Sequence, residues 1–218
     1  MSDDKLLSEE REAVSELGME MLAQDLTTGS GGNVSVRNGD RVAVSPSGIP
    51  YEDVTGDVVP VVTLDGGTAK GDLEPSNETP MHLLIYQSRD DVGGIVHTHS
   101  PYASTFASLG EPIPASHYLI AYAGTEVPVA GYAPPGTGEL GELAVDALGT
   151  EYDACLLQNH GVMAVGEDGQ DALETAAMVE YCAQIHYQAT AIGNPIIMED
   201  NDLEYLIDMF SSYRQKGG

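Results

Sequence analysis

The chain has 218 residues, 42% of them hydrophobic and 6% aromatic with no Trp, and its 8 Lys+Arg stand against 35 Asp+Glu for a formal net charge of −27. That length supports a sizeable core without staples, and the mixed composition excludes collagen-like, disordered and coiled-coil classes. So acidic a surface repels phosphate backbones and anionic lipid, and no apolar run of eighteen residues occurs, which sets aside nucleic-acid and membrane partners.

Taken in order, residues 5–24 predict a helix with Leu7, Val14, Leu17 and Met21 on one face. Two β-rich runs, 34–36 and 42–44, flank the turn signal Asn38-Gly39-Asp40, and 58–64 reads as another strand ended by Asp65-Gly66-Gly67. Ser76 is expected to cap a helix running to about Ser88, with Pro80 tolerated in its first turn. The run 94–99 is a strand that ends in polar residues. Thr137 caps a helix carrying Leu140, Leu143, Ala144, Ala147 and Leu148, and Gly149 stops it. A buried-type strand at 155–159 and a turn at Gly161 lead into a second strand at 162–165. Leu173, Ala176, Val179, Cys182, Ile185, Ala189 and Ile192 mark a long helix up to Gly193, and 203–213 is a short final helix. There is no repeat, linker or regular βαβ alternation. The pattern predicts one domain, 1–218, with helices packed on a largely antiparallel sheet.

Cys155 and Cys182 lie in apolar runs and read as buried thiols, and the N-terminus Met1-Ser2-Asp3-Asp4 is acidic rather than signal-like. Together they predict a reducing, cytoplasmic setting. The acids are spread along the chain, and lysine occurs only at Lys5, Lys70 and Lys216. Such self-repulsion points to a high-salt, halophilic cytoplasm, because screening relieves it. The melting temperature is therefore expected to rise in molar KCl, by about 2–4 °C for each kcal/mol of repulsion relieved. A thermal scan indifferent to KCl overturns that reading.

His97-Thr98-His99 is the sharpest local signal. On a strand, residues i and i+2 project to one face, so two imidazoles converge. A catalytic Zn²⁺ takes three protein ligands and keeps one position open. His160, at the end of the next strongly apolar strand, is the natural third. His82 and His186 fall on helices, as core or supporting residues, and His117 adjoins Tyr118 in a loop. A cupin would need a Glu shortly after His-x-His and almost no helix, and a metallo-β-lactamase would need Asp and His where Ser100-Pro101 stand. A second signal is a set of small-residue loops, Thr28-Gly29-Ser30-Gly31-Gly32-Asn33, Ser45-Pro46-Ser47-Gly48 and Ser76-Asn77. Hydroxyls, amides and exposed backbone N–H groups of this kind bind phosphate without a formal positive charge.

Gly32-Asn33-Val34-Ser35-Val36-Arg37, Ser45-Pro46-Ser47-Gly48-Ile49-Pro50-Tyr51, Ser76-Asn77-Glu78, His97-Thr98-His99, His117-Tyr118 and Gln158-Asn159-His160-Gly161 occur in that order. As an ordered set spanning essentially the whole chain, they resemble the class II aldolase/adducin family. The resemblance implies a three-layer α/β/α sandwich around a mostly antiparallel nine-stranded sheet, and homotetramers with active sites between subunits. It implies one Zn²⁺ per subunit on His97, His99 and His160, with Glu78 ligating at rest and swinging away to act as base. Ser30, Gly32, Asn33, Ser47, Gly48, Ser76 and, in place of a second Ser, Asn77 match phosphate-binding positions. Tyr118 and Tyr213 match tyrosines that close the site and handle the aldehyde oxygen.

The implied reaction is cleavage of L-fuculose 1-phosphate, or a related deoxyketose 1-phosphate, to dihydroxyacetone phosphate and a small aldehyde. A metal-dependent pentulose-5-phosphate 4-epimerase of the same family is the alternative. A non-catalytic interaction module predicts lost ligands, yet the three histidines and Glu78 are all present. Metal-based carbanion stabilisation needs no Schiff-base lysine, in keeping with a chain holding three lysines. Ala133-Pro134-Pro135-Gly136, where the family member most resembled carries an aromatic residue facing the aldehyde, and Gly138, where that member has an Arg, depart from its pattern.

Overall fold

The computed structural model describes residues 6–217, and of residues 211 and 213–217 the backbone alone. Eight strands form one sheet: β1 (Asn33–Asn38), β2 (Arg41–Val44), β3 (Val61–Thr63), β4 (Thr68–Lys70), β5 (Gly94–Thr98), β6 (Val129–Ala130), β7 (Ala154–Leu157) and β8 (Gly161–Gly166). Their spatial order is β4-β3-β2-β1-β5-β8-β7-β6. Every neighbouring pair is antiparallel except β6 with β7. The helices are α1 (Ser8–Ala23), α2 (Thr79–Ser88), α3 (Pro101–Leu109), α4 (Gly138–Leu148), α5 (Gly169–Ile192) and α6 (Asp200–Gly217).

The sheet separates two apolar cores, because side chains alternate across the pleat. On one side Val34, Val96, Val162 and Ala164 meet Val14, Leu17 and Met21 of α1, Phe106 of α3 and Leu173, Ala176 and Val179 of α5. On the other, Ile95, Met163, Val165 and Leu157 meet Met81 and Ile85 of α2 and Leu140, Ala144 and Leu148 of α4. This is the expected three-layer sandwich. Fully burying each such leucine contributes about 1.5–3 kcal/mol, and the α4 stripe at positions 140, 144 and 148 is the helical spacing that permits it. Cys155 belongs to one core and Cys182 to the other, both as free thiols. No described helix is long and apolar enough to cross a membrane.

The expected boundaries shift where local chemistry intervenes. The strand expected over 58–64 shrinks to β3, because Gly56–Val58 closes a 3₁₀ turn and Pro60 has no N–H to add to the ladder; its carbonyl still accepts from Val44 N at 3.1 Å. Ser76 does not cap α2 directly. It makes a tight turn before the helix, its carbonyl accepting from Thr79 N at 3.0 Å and its hydroxyl from Glu78 N at 3.3 Å. That turn seats Glu78 at the helix N-cap. The final helix runs longer than 203–213, from Asp200 to Gly217. Among the described residues the sheet has eight strands, not nine. A further pairing, Ile113 with Val127, stays a single bridge because Pro114 and Pro128 adjoin it and cannot donate.

Candidate metal centre and anion cavity

β5 lies in the middle of the sheet between β1 and β8, and all five of its residues are buried. The pleat that sends Ile95 toward α2 and α4 sends His97 the same way, and His99 follows just beyond the strand end, its N–H donating to Leu26 O at 3.1 Å. His160 comes from the short turn between β7 and β8. Asn159 adopts the left-handed conformation there, φ 58°, which Asn tolerates better than most residues. Its N–H donates to Ala107 O, and His160 N donates to Leu157 O, so the turn is tied at both residues.

The three imidazoles converge on one point. His97 Nε2 lies 3.1 Å from His99 Nε2 and 3.3 Å from His160 Nε2. A tetrahedral ion with nitrogen bonds of roughly 2.0–2.1 Å separates its ligand atoms by about 3.3 Å, so the spacing suits a metal. The His97 tautomer suits it too. Its Nδ1 is 2.8 Å from Val162 O, which can only accept, so Nδ1 carries the proton and the Nε2 lone pair of the neutral ring faces the other two. Burial, helped by the neighbouring imidazoles, pushes His99 down to about 4 and lowers His160 also, so both rings are neutral ligands at neutral pH.

Glu78 completes the set from the N-cap of α2, with Oε2 3.3 Å from His97 Nε2 and Oε1 3.6 Å from His160 Nε2. Burial works to raise its carboxyl. The neighbouring imidazoles of His97 and His160 and the Asn33 amide, which donates to Oε2, outweigh that and hold it well below the usual carboxylate range. Glu78 Oε1 is buried without a hydrogen bond. A buried carboxylate oxygen beside three converging imidazole nitrogens is the donor set of a divalent cation.

Gly161 is what lets the hairpin close on β5. A Cβ there would penetrate the Thr98 carbonyl oxygen and press on His99 Cδ2 at 3.0 Å and His97 Cε1 at 3.3 Å. Gly161→Ala is therefore expected to cost about 1–3 kcal/mol by overpacking and to weaken metal affinity, because the strand pair must part where two ligands sit. Denaturant midpoints and metal titration check this; parental values for both refute it.

In front of the imidazoles lies a cavity of about 230 Å³ lined by Ser30, Gly31, Gly32, Asn33, Pro46, Ser47, Gly48, Ser76, Asn77, Glu78, His99, Pro135 and His160. The seven residues expected to bind phosphate all line it, together with Glu78 and two of the histidines. Its walls carry no Lys or Arg. Attraction for an anion there rests on the hydroxyls of Ser30, Ser47 and Ser76, the Asn77 amide and the nearby start of α2. Gly32, with φ +66°, brings the first loop flat against β5, where a Cβ would run into His97 O. Pro135, from the segment that departs from the expected pattern, also lines the cavity.

One expected residue is not brought there. Tyr118 begins a 3₁₀ turn (Tyr118–Tyr122), is 47% exposed, stacks on His117 and does not line the cavity of its own chain. The side chain of Tyr213 lies outside the described residues. His186 bonds Ser116 Oγ at 2.9 Å, away from the cavity.

The sequence reading passed over a buried group behind Glu78. Asn33 Nδ2 donates to Glu78 Oε2 at 2.8 Å, and Asn33 Oδ1 faces His82 Nε2 at 2.5 Å. His82 Nδ1 is 2.7 Å from Ser35 Oγ, which lies 2.9 Å from the Tyr86 hydroxyl. Its signal was present as spacing: 33 and 35 share a strand face, and 82 and 86 a helix face. Burial pushes His82 down to about 3, so it is a neutral imidazole.

Residues 12–187 match the family described as Class II Aldolase and Adducin N-terminal domain. The chain is 41% identical to 5-deoxy-D-ribulose 1-phosphate aldolase of Bacillus thuringiensis serovar kurstaki, over 97% of this chain and 100% of that one. It is 38% identical to L-fuculose phosphate aldolase of Escherichia coli O6:H1, over 89% and 91%. A solved L-fuculose 1-phosphate aldolase superposes with a TM-score of 0.92 at 37% identity, covering 97% of this chain and 100% of that one.

Proposed function

Given that the chain belongs to the class II aldolase and adducin family and is a lyase of the aldolase type, we propose that it uses one Zn²⁺ per subunit to cleave L-fuculose 1-phosphate or a related deoxyketose 1-phosphate, reversibly, to dihydroxyacetone phosphate and a small aldehyde. The observation that carries this reading is the convergence of the His97, His99 and His160 Nε2 atoms with Glu78 at the back of a hydroxyl-lined cavity that holds no Lys or Arg. The two curated relatives are named for a deoxypentulose and a deoxyhexulose 1-phosphate, and the part common to both substrates is the phosphorylated three-carbon end.

In this reading Ser30, Gly32, Asn33, Ser47, Gly48, Ser76 and Asn77 receive the phosphate. Zinc held by the three histidines would act as a Lewis acid toward the ketone and neighbouring hydroxyl oxygens. In the condensation direction Glu78, already ionised at neutral pH, takes a proton from the hydroxymethyl carbon of dihydroxyacetone phosphate. The carbon so activated attacks the aldehyde, and Tyr118 donates a proton to the new alkoxide. Because Tyr118 is exposed on its own chain, it serves the cavity of a neighbouring subunit in a homotetramer, and Tyr213 is assigned to closing the same site. Exposed Ile192, Ile196 and Tyr205, at 92%, 88% and 69%, support a buried assembly face. The free buried thiols fit a cytoplasmic, reducing setting.

The test is cleavage of L-fuculose 1-phosphate and of 5-deoxyribulose 1-phosphate in molar KCl, reading release of dihydroxyacetone phosphate. Activity abolished by a chelator and restored by Zn²⁺ is expected. Zinc-loaded protein that cleaves neither compound, but interconverts pentulose 5-phosphates, makes it an epimerase instead.

A further inference from the structure

Behind Glu78 the polar file through Asn33, His82, Ser35 and Tyr86 is closed to solvent: Ser35, His82 and Tyr86 are 0% exposed and Asn33 3%. Its proton positions follow from one fixed end. Asn33 Nδ2 donates to Glu78 Oε2 at 2.8 Å, so the carbonyl of the same amide is turned toward His82. A carbonyl only accepts, so His82 Nε2 carries the ring proton. In a neutral imidazole Nδ1 is then a lone pair, and Ser35 Oγ donates to it. With its own proton on His82, Ser35 Oγ accepts from the Tyr86 hydroxyl at 2.9 Å, and the same hydroxyl also reaches the Ser35 carbonyl at 3.1 Å.

We propose that His82 is a positioning residue for the Glu78 base: its Nε2–H locks the Asn33 amide in the orientation that holds Oε2, leaving Oε1 as the oxygen that takes the substrate proton. The inference rests on the reading of Glu78 as the base. Turning the Asn33 amide over would set its carbonyl against the carboxylate and its NH₂ against the His82 N–H. Both are mismatched contacts in a dry interior, where an unpaired polar group costs most. Glu78 Oε1 has no hydrogen bond among the described residues, whereas Oε2 is tethered. The two carboxylate oxygens are thereby made unequal. The file begins on β1 and returns through α2, so it also ties the strand that faces β5 to the helix that presents Glu78.

The experiment compares His82→Gln, His82→Leu and Ser35→Ala with the parent, all full-length. One readout is zinc-loaded exchange of dihydroxyacetone phosphate hydrogen with solvent deuterium, resolved into kcat and KM. The other is the visible spectrum of the cobalt(II)-loaded proteins without substrate, which reports how the carboxylate meets the metal. His82→Leu is expected to lower kcat for exchange 10- to 100-fold, as loss of groups that orient metal-site residues generally does, with KM little changed. Its cobalt spectrum is expected to shift. His82→Gln, whose amide nitrogen can still donate to Asn33, is expected to recover most of the loss. Ser35→Ala removes one hydroxyl and little volume, frees the His82 tautomer, and is expected to lower kcat in the same direction; it carries the test if His82→Leu does not fold. Parental kcat and cobalt spectrum in His82→Leu or in Ser35→Ala overturn the proposal, as does a Gln variant no better than Leu. Absence of exchange in the parent itself defeats the reading of Glu78 as base, and the cobalt spectra then still decide whether His82 orients it.

Discussion

Replacing His97 by alanine is expected to abolish metal binding and cleavage together. His97 is fully buried at the centre of the sheet, its Nδ1 committed to Val162 O and its Nε2 within 3.1 and 3.3 Å of the other two ligand nitrogens. It is the ligand that both of the others approach, so its loss leaves two imidazoles without a common centre. Lewis-acid stabilisation is worth several kcal/mol, which sets the expected fall in turnover at 10³-fold or more on the order-of-magnitude scale. The fold pays as well, since Val162 O loses its partner in a buried site, at a cost of about 1–3 kcal/mol. Metal content by elemental analysis, turnover and a denaturant midpoint check the three parts. A His97→Ala protein with one metal per chain and parental turnover removes the site from the mechanism.

Glu78→Gln is expected to keep most metal affinity and lose proton exchange. Gln matches Glu in volume, and its side-chain oxygen can still accept from Asn33 Nδ2, so the support at 2.8 Å survives. What it loses is a charge and a basic oxygen. General-base catalysis is worth typically 10²–10⁴-fold, and that is the expected drop in deuterium exchange from dihydroxyacetone phosphate. Exchange at the parental rate in a zinc-loaded Glu78→Gln protein shows that another group takes the proton. The two substitutions thus separate the metal from the base. One strips both affinity and rate, the other the rate alone.

The metal triad was legible because two kinds of pattern coincide in it. His97 and His99 are two apart where a strand runs out, and His160 closes an apolar run before a glycine, so alternation and strand ends alone bring them near one another. The seven cavity residues were legible as small-residue loops, and the structure gathers them because the loop into β1, the segment after β2 and the turn before α2 line one cavity. The start of β3 was misjudged because apolar content at 58–64 says nothing about the missing N–H of Pro60. The role of Ser76 was misjudged because capping in sequence looks alike one turn earlier or later. His82 illustrates the deeper limit. Its spacing with Tyr86 and that of Asn33 with Ser35 were visible, but which helix face meets which strand face is settled only by the register of β1 on β5, Asn33 opposite His97. The role proposed for Tyr118 depends on how one subunit would meet another, and periodicity within one chain does not reach that far.

The strand order carries one more consequence. β1 to β4 form one antiparallel meander and β6 to β8 a second group, and β5 alone joins them, paired to β1 on one edge and to β8 on the other. The four side chains proposed to ligate come from both sides of that seam: Glu78 from the helix before it, His97 from the seam strand and His99 from just beyond its end, and His160 from the hairpin beyond, 63 residues further along than His97. A cation seated there is a rivet through the joint. Its binding energy counts toward folding only once the last hairpin has docked, so the two halves of the sheet melt as one unit when it is in place. During synthesis, a chain that has emerged only through His99 has two of the three histidines, and the full donor set closes only when the hairpin of β7 and β8 docks. Capture of the ion thus certifies a completed sheet.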